Sequence, residues 1–386
     1  MNRQPGYKDR KAVAILGYGH IGKAIANLLK ETGLSDALDR DSSYSPSQYS
    51  IYDKVYNDTD LTDRNVLRKI TSEHQTVFCA TPFQLNPEIL RACVETGTDY
   101  YDLTEDVGNN LLAISLSKEA EQNLCRLVPQ CGLAPGMVGI IGNYIAGTFS
   151  SCESLKIRVG ALHNSPSNMM RYHPSWSVDG LINEYCNNCV ELVDGELKHL
   201  RPLTEVEKVL IDGVEFEAAR TSGGIGSLPE YLANSGVKNV NYKTLRWPGH
   251  WHLMQFLLED LKMDKNKDLF IDLFKKNIAY GQPYERNAGR GNEFVNDRVY
   301  IQITGEGYSK KLDKKIIRSY NNVIKPGHGL DSISRTTACG LLYVYHYLSN
   351  RNGKSSTDLM MKLGYINQAE LPFREDAWAY AKGYTN

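Results

Sequence analysis

The sequence has no apolar run long enough to cross a bilayer, which takes about 20 residues. It also has little net charge, with 44 lysines and arginines against 45 aspartates and glutamates, so nothing indicates a nucleic-acid or anionic membrane partner. Residues 1–11 are polar and lack the apolar core of a signal peptide. We therefore expect a cytoplasmic protein.

The chain also lacks internal repeats, low-complexity segments and a metal-binding cysteine pattern. Its eight cysteines are scattered, which predicts reduced thiols. Cys186 and Cys189 form a C-x-x-C pair, but no second pair completes a zinc site. The pair also follows a helix-like stretch rather than a strand, as a redox pair would. We expect incidental thiols and no bound metal.

A glycine-rich turn stands near the start of the chain. Residues 12–16 form a short apolar run typical of a buried parallel strand. Residues 17–22 then read G-Y-G-H-I-G, and apolar residues follow at helical spacing. Strand, glycines and helix in this order predict a dinucleotide site, in which Gly17 makes the turn, Gly19 admits the pyrophosphate and Gly22 packs the helix closely. His20 and Ile21, at the helix start, are expected to contact the phosphates as well. Another glycine-rich α/β turn, as in a flavodoxin-like fold, is the alternative.

An acidic residue at the end of the next strand is expected to determine whether the cofactor is NAD or NADP. Residues 49–52 read as that strand, and Asp53 follows it. An acid in this position bonds the ribose hydroxyls and repels a 2′-phosphate, which favours NAD over NADP. Asp53 lies beyond the usual spacing because a polar insert at 35–48 precedes it; Asp39 and Asp41 have that spacing but lie within the insert.

Strands and helices continue to alternate up to about residue 135, which predicts a doubly wound parallel sheet, an α/β Rossmann domain. Ligands bind at the carboxyl ends of such strands. Further cofactor contacts are therefore expected from the residues that end them: Ala80, Thr81, Pro82, Leu103 and Gly136.

The pattern changes after Gly136. The strands become longer and more alternating, which is typical of an α+β domain with a mixed sheet. A long apolar helix over residues 332–348 is suited to pack back on the first domain. We predict a dinucleotide-binding domain made of residues 1–135 and 331–386, and a substrate and oligomerisation domain at 136–330.

Five stretches resemble the saccharopine dehydrogenase-like family and, within it, the lysine 6-dehydrogenases. Together the resemblance spans about residues 12–348. The stretches are G-L-A-P-G at 132–136, S-W-S-V-D-G-L-I-N-E-Y at 175–185, T-S-G-G at 221–224 with S-L-P at 227–229, N-Y-K-T-L-R-W-P-G-H at 241–250, and S-R-T-T at 334–337. Many saccharopine reductases have an acid where this chain has Ala134, which favours a smaller substrate than saccharopine.

The resemblance implies an NAD-dependent oxidoreductase acting on the CH–NH group of an amino acid. The expected reaction is oxidative deamination of the 6-amino group of L-lysine to the semialdehyde. The alternatives are a saccharopine- or carboxyspermidine-type reductase that forms a secondary amine, and a dinucleotide-binding protein without turnover. We expect a small-molecule amino-acid substrate, no nucleic-acid or membrane partner, and a homodimer.

Such a reaction needs a base, because an ammonium group cannot release a hydride from the adjacent carbon. Asp102, at a strand end, is a candidate base or orienting carboxylate, although it could equally cap its own loop. His250 is the other candidate because histidine titrates near neutral pH. Its alternative is a structural ring at the start of a helix.

The substrate also needs anchors. Arg246 and Arg171 are candidates for its carboxylate, since a guanidinium can donate two parallel hydrogen bonds; ordinary surface arginines are the alternative. Trp176 is a candidate wall along the carbon chain, or else a core tryptophan. Cys131 next to Gly132 is expected to be an inert buried thiol.

Overall fold

A computed structural model describes residues 10–17, 19–31, 60–165, 168–174, 176–277, 297–349, 362–375 and 378. Contacts divide the chain into two compact units. The first comprises Met1–Met137 and Thr337–Asn386, and the second comprises Val138–Thr336. The polar insert and the strand predicted at 49–52 lie outside the described residues.

The first unit contains a sheet in which every described pairing is parallel. Its inner strands are buried almost throughout, polar residues at their ends included, as is expected of a parallel sheet covered on both faces. The predicted doubly wound fold is confirmed. In sheet order the strands are Lys11–Leu16, His74–Cys79, Asp99–Asp102, Arg126–Val128 and Gly364–Tyr365.

Polar caps begin two of the helices of this unit. The side chain of Asp63 accepts a hydrogen bond from the backbone N–H of Asn65, and that of Asp106 accepts one from Asn109. The sequence predicts a helix over 115–123, whereas the second cap starts an additional helix at Val107–Ser115. The helices are His20–Glu31, Arg64–Glu73, Asn86–Thr96, Val107–Ser115 and Ser117–Gln122.

The long helix Ser332–Ser349 returns to the first unit, as predicted. A side chain at Gly340 would overlap the carbonyl oxygen of Gly132, so the helix approaches that loop at backbone distance. Nearer its end, the ring of Tyr345 packs edge-on against Phe78, with 5.0 Å between centroids. The final helix is therefore part of the core of the dinucleotide fold.

The second unit contains an eight-stranded mixed sheet. The strands Ser151–His163 and Asn239–Arg246 pair in parallel, while the other described pairings are antiparallel. The predicted α+β architecture with a mixed sheet is thus confirmed. The remaining strands are Cys189–Val193, Glu196–Leu200, Glu207–Ile211, Val214–Arg220, Asp297–Ser309 and Lys314–Ile324.

A core of aromatic and aliphatic side chains, centred on Trp251, Tyr185 and Phe216, holds the helices of this unit against its sheet. The sequence predicts one helix over 251–260, but the structure has an α-helix that changes to a π-helical turn at Phe256–Asp260. The helices are Met137–Gly147, Val178–Cys186, Leu228–Asn234, His250–Gln255 and Lys267–Asn277.

Three basic residues lie side by side on one face of this sheet. Lys243 is in register with Arg158 on one neighbouring strand and with Arg220 on the other. Glu207 forms ion pairs with Arg158 and Lys243, and Glu191 accepts two hydrogen bonds from Arg220 at 2.9 and 3.2 Å. The acids neutralise a row of buried cations that would otherwise repel one another. Lys243 therefore supports the sheet.

Replacing Gly340 by alanine should test the return of the final helix. The added methyl group meets a backbone carbonyl, so we expect the free energy of unfolding to fall by about 2 kcal/mol or more. Gly147→Ala is the matched control, because a methyl group there has no neighbour within 4 Å; it should change stability by less than about 1 kcal/mol, in the stabilising direction. Equal urea-denaturation midpoints would contradict the packing.

Candidate functional site

The glycine turn has the three features that a dinucleotide site requires. Gly17 has φ +87°, and a side chain there would overlap the carbonyl of Ala80 at the end of the neighbouring strand. A side chain at Gly22 would overlap the carbonyl of Gly17, so the helix lies directly against the turn. A methyl group at Gly19 meets nothing within 4 Å. The backbone is therefore packed closely on the protein side and open at Gly19.

The helix that follows the turn, His20–Glu31, directs the positive end of its dipole at the turn. The N–H of Lys23 donates to the carbonyl of Gly19 at 3.0 Å, so the backbone hydrogen bonds of the helix begin at Gly19, next to the open side of the turn. The first turn contains no acidic residue that would compete with an anion. His20 is exposed and Ile21 is half-buried. These residues fit a pyrophosphate.

The segment Ala80, Thr81 and Pro82 lies beside the turn. The N–H of Ala80 donates to the carbonyl of Leu16 at 2.7 Å, and the backbone nitrogen of Thr81 lies 2.8 Å from where a side chain at Gly17 would begin. Ala80 and Thr81 are half-buried, and Pro82 is exposed. The structure brings all three predicted contacts next to the predicted phosphate site.

Asp102 is completely buried. Its carboxylate accepts hydrogen bonds from the backbone of Gln130 at 2.8 Å and of Thr104 at 3.1 Å, and from the hydroxyl of Tyr100 at 2.8 Å. Burial raises its pKa to about 6 in spite of these bonds. The carboxylate joins the ends of two parallel strands, so within the first unit Asp102 orients the edge of the sheet.

The loop from Cys131 to Gly136 folds back on itself. The N–H of Met137 donates to the carbonyl of Gly132 at 3.0 Å, and a side chain at Gly136 would overlap that same carbonyl. Leu103, from the neighbouring strand end, is half-buried next to it. The Cys131 thiol donates to the carbonyl of Val128 at 3.0 Å, and burial raises its pKa well above the usual value, so the thiol is inert.

A buried chain of hydrogen bonds runs through the second unit. Arg246 donates from Nε to the hydroxyl of Tyr185 at 2.8 Å, and this hydroxyl lies 3.1 Å from Nε2 of His250. Nδ1 of the same ring is 2.9 Å from the carbonyl of Met170. A carbonyl only accepts, so Nδ1 carries the proton and Nε2 accepts from Tyr185. The structure thus links two of the predicted site residues through Tyr185.

His250 is neutral in this environment. Burial, and then the charge of Arg246, lower its pKa to about 3. The guanidinium lies over the ring of Tyr172, 4.2 Å from its centroid. His250 therefore acts as a fixed hydrogen-bond partner that does not change charge near neutral pH.

Three buried residues that sequence reasoning left without a role surround this guanidinium: Tyr172, Tyr185 and Glu184. The charge of Glu184 acts on both tyrosines and on Arg246. For Glu184 and Tyr185 the signal was the N-E-Y at 183–185, which places a charged residue among apolar ones in a helix. Charged side chains are seldom buried unless they are paired, so Glu184 could have been singled out.

Arg171 and Trp176 lie near this chain but have other contacts. Arg171 is exposed, and its Nη1 donates to the carbonyl of Pro248 at 2.9 Å, within the turn that leads to His250. Trp176 is half-buried and packs against the core of the second unit. Asp53 lies outside the described residues, so its predicted contact with the ribose stays a prediction.

Two features are absent from the residues that the structure describes. None of their helices is long and apolar enough to cross a membrane. No group of three or more histidine, cysteine or acidic side chains among them could hold a metal ion.

At the C-x-x-C pair, burial raises the pKa of Cys186, and raises that of Cys189 to about 12. Thiols that stay protonated are poor redox groups.

Comparison with known proteins gives one family and several similar structures. The saccharopine dehydrogenase C-terminal domain matches residues 132–345. The apo form of a saccharopine dehydrogenase (L-Glu forming) from Saccharomyces cerevisiae is similar over 96% of both chains, with a TM-score of 0.63 and 16% identity. DAP dehydrogenase from C. glutamicum matches with a TM-score of 0.43 and 10% identity, over 98% of this chain and 97% of that one. The first structure shows a shared fold.

Asp102→Asn should remove a pH-dependent part of stability. The folded-state pKa of about 6 lies above the ordinary 3.8, so this stability is present at low pH and is lost as the pH rises through about 6. From about pH 4 to about pH 7.5 the wild type should lose about 2 kcal/mol that the variant retains. Urea unfolding at both pH values measures the difference.

Tyr100→Phe is the companion variant. It removes a hydroxyl that favours the ionised carboxylate, so the loss of stability should move to higher pH. Parallel stability profiles for the wild type and both variants would contradict a raised pKa at Asp102.

Proposed function

Because this chain belongs to the saccharopine dehydrogenase family, we propose that it is an oxidoreductase that uses a nicotinamide dinucleotide and acts on the CH–NH group of an amino acid. The observation that carries this proposal is the glycine turn, which is closed at Gly17 and Gly22 and open at Gly19. A ligand with a pyrophosphate fits such a turn, since the positive end of the helix dipole and a position without a side chain meet it there.

L-Lysine is the substrate we propose, with its 6-amino group oxidised and hydrolysed to the semialdehyde. The support is the set of stretches shared with lysine 6-dehydrogenases, together with Ala134 in place of the acid that many saccharopine reductases carry. The bound cofactor supplies the hydride acceptor. The protein must bind the amino-acid end and keep the reacting amine uncharged.

Arg246 is the proposed anchor for the substrate carboxylate. Its Nε and Nη1 donate to Tyr185 and to the carbonyl of Leu245, and Nη2 donates to no described residue. Packing against aromatic rings holds the guanidinium in one orientation, so little entropy is lost when a carboxylate binds. The neutral His250 fixes Tyr185 without adding a second positive charge to the site.

NAD rather than NADP is the proposed cofactor, because Asp53 would repel a 2′-phosphate. This support is from sequence alone. The homodimer and the cytoplasmic location expected above likewise stay predictions.

The activity is tested by mixing the purified protein with NAD and a panel of amines while NADH absorbance is followed. An increase with L-lysine supports the proposal. Turnover only with a keto acid, an amine and NADH or NADPH would instead identify the reductase that forms a secondary amine. Cofactor binding without turnover on any amine would identify a binding protein.

Gly19→Ala tests the cofactor site itself. The methyl group meets no protein atom within 4 Å, so folding should be unchanged, while it fills the space that a pyrophosphate needs. We expect NADH to bind at least about tenfold more weakly, with an unaltered Tm. Gly147→Ala should bind like the wild type. Unchanged affinity at Gly19→Ala would place the cofactor elsewhere.

Arg246→Met tests the substrate anchor. Losing a charged hydrogen-bond donor should raise KM for L-lysine about 10- to 100-fold. Cadaverine, which is lysine without the carboxylate, is the matched control: its KM should not change. The affinity for NADH should also be retained, because Arg246 belongs to the second unit. Equal losses for both amines would show that Arg246 only supports the fold.

A further inference from the structure

A small hydrogen-bonded group lies under the segment next to the glycine turn. The side-chain oxygen of Asn86 accepts from the hydroxyl of Thr81 at 3.1 Å and from the thiol of Cys79 at 3.2 Å. The thiol and the hydroxyl are themselves 3.1 Å apart. Asn86 is 1% exposed and Cys79 is also buried, whereas Thr81 is half-buried. Only Thr81 in this group can reach a ligand.

The proton of the Thr81 hydroxyl is committed to Asn86. A hydroxyl has one proton and two acceptor lone pairs, so donation to the amide oxygen leaves Thr81 Oγ1 free only to accept. The Cys79 thiol stays protonated, since burial raises its pKa to about 12, and it donates to the same amide oxygen of Asn86. At this half-buried position, Thr81 Oγ1 therefore offers a ligand only acceptor lone pairs.

Thr81 is a neighbour of the glycine turn. The backbone nitrogen of Thr81 is 2.8 Å from where a side chain at Gly17 would begin, so Thr81 adjoins the turn that fits a pyrophosphate. Each phosphate of a dinucleotide is linked to a ribose. Phosphate oxygens cannot donate a hydrogen bond to an acceptor, but ribose hydroxyls can.

We propose that Asn86 is a positioning residue that holds Thr81 as an acceptor for a ribose hydroxyl of the bound dinucleotide. This inference rests on the proposed function, since it needs the cofactor at the glycine turn. Either ribose has the required chemistry, and the experiment separates the two.

In the test, AMP, ADP, ADP-ribose and inorganic pyrophosphate each compete with NADH for the site, and the fluorescence of bound NADH reports how tightly each one binds. Thr81→Val replaces the hydroxyl by a methyl group of similar size, and we expect about fivefold to tenfold weaker binding of a ribose-containing probe. A loss already seen with AMP identifies the adenosine ribose. A loss seen with ADP-ribose and not with ADP identifies the second ribose. Thr81→Ser, which keeps the hydroxyl, should bind like the wild type.

Asn86→Ala should weaken the same probe as Thr81→Val does, and it should have no further effect when added to Thr81→Val. A residue that only supports the fold would instead lower Tm and weaken all four probes equally, in either background. Such a uniform loss would overturn the inference. So would a Thr81→Val variant that binds only pyrophosphate more weakly, or variants that bind every probe like the wild type.

Failure of this inference can be distinguished from failure of the proposed function. If the wild type binds NADH and Gly19→Ala does not, the turn holds the cofactor, and unaltered Thr81 and Asn86 variants then reject only the ribose contact. If the wild type does not bind NADH, the proposed function itself is rejected.

Discussion

Close backbone packing at the end of the first strand is the constraint on which the rest of the first unit depends. A side chain at Gly17 would overlap Ala80, and one at Gly22 would overlap Gly17, so strand, turn and helix meet without side chains between them. This contact places the helix N-terminus beside the end of the neighbouring strand. At the same edge of the sheet, the Asp102 carboxylate links the end of its own strand to Gln130, just beyond the end of the next strand. The carboxyl edge of the sheet is thereby fixed before any ligand binds.

The second unit buries several positively charged side chains, and it stabilises them in two different ways. Arg246 lies among aromatic rings and donates to Tyr185, whose hydroxyl in turn reaches the neutral His250. The cations around Lys243 are instead neutralised by glutamates. Arg246 forms no ion pair with a described carboxylate, whereas Arg158, Lys243 and Arg220 each do, and this difference separates a candidate anchor from a structural charge layer.

Local pattern was enough to predict the glycine turn, the alternating strands and helices, and the return of the last helix, because spacing and periodicity encode them directly. The helix Val107–Ser115 was missed because its start depends on a single cap, Asp106. The partners of Asp102 and His250 could not be predicted, since Gln130 and Tyr185 are distant in sequence and meet them only after folding. Burial, which sequence does not give, makes Asp102 a weaker acid and His250 a neutral ring.

Amide hydrogen exchange with and without saturating NADH tests most directly whether the opening turn is the cofactor site. Binding of the phosphates should protect the backbone N–H groups at the start of the helix His20–Glu31, so peptides that cover residues 17–25 should exchange more slowly. Peptides from the strand Lys314–Ile324 should be unaffected. Unchanged exchange at residues 17–25 under saturating NADH would contradict a dinucleotide at this turn.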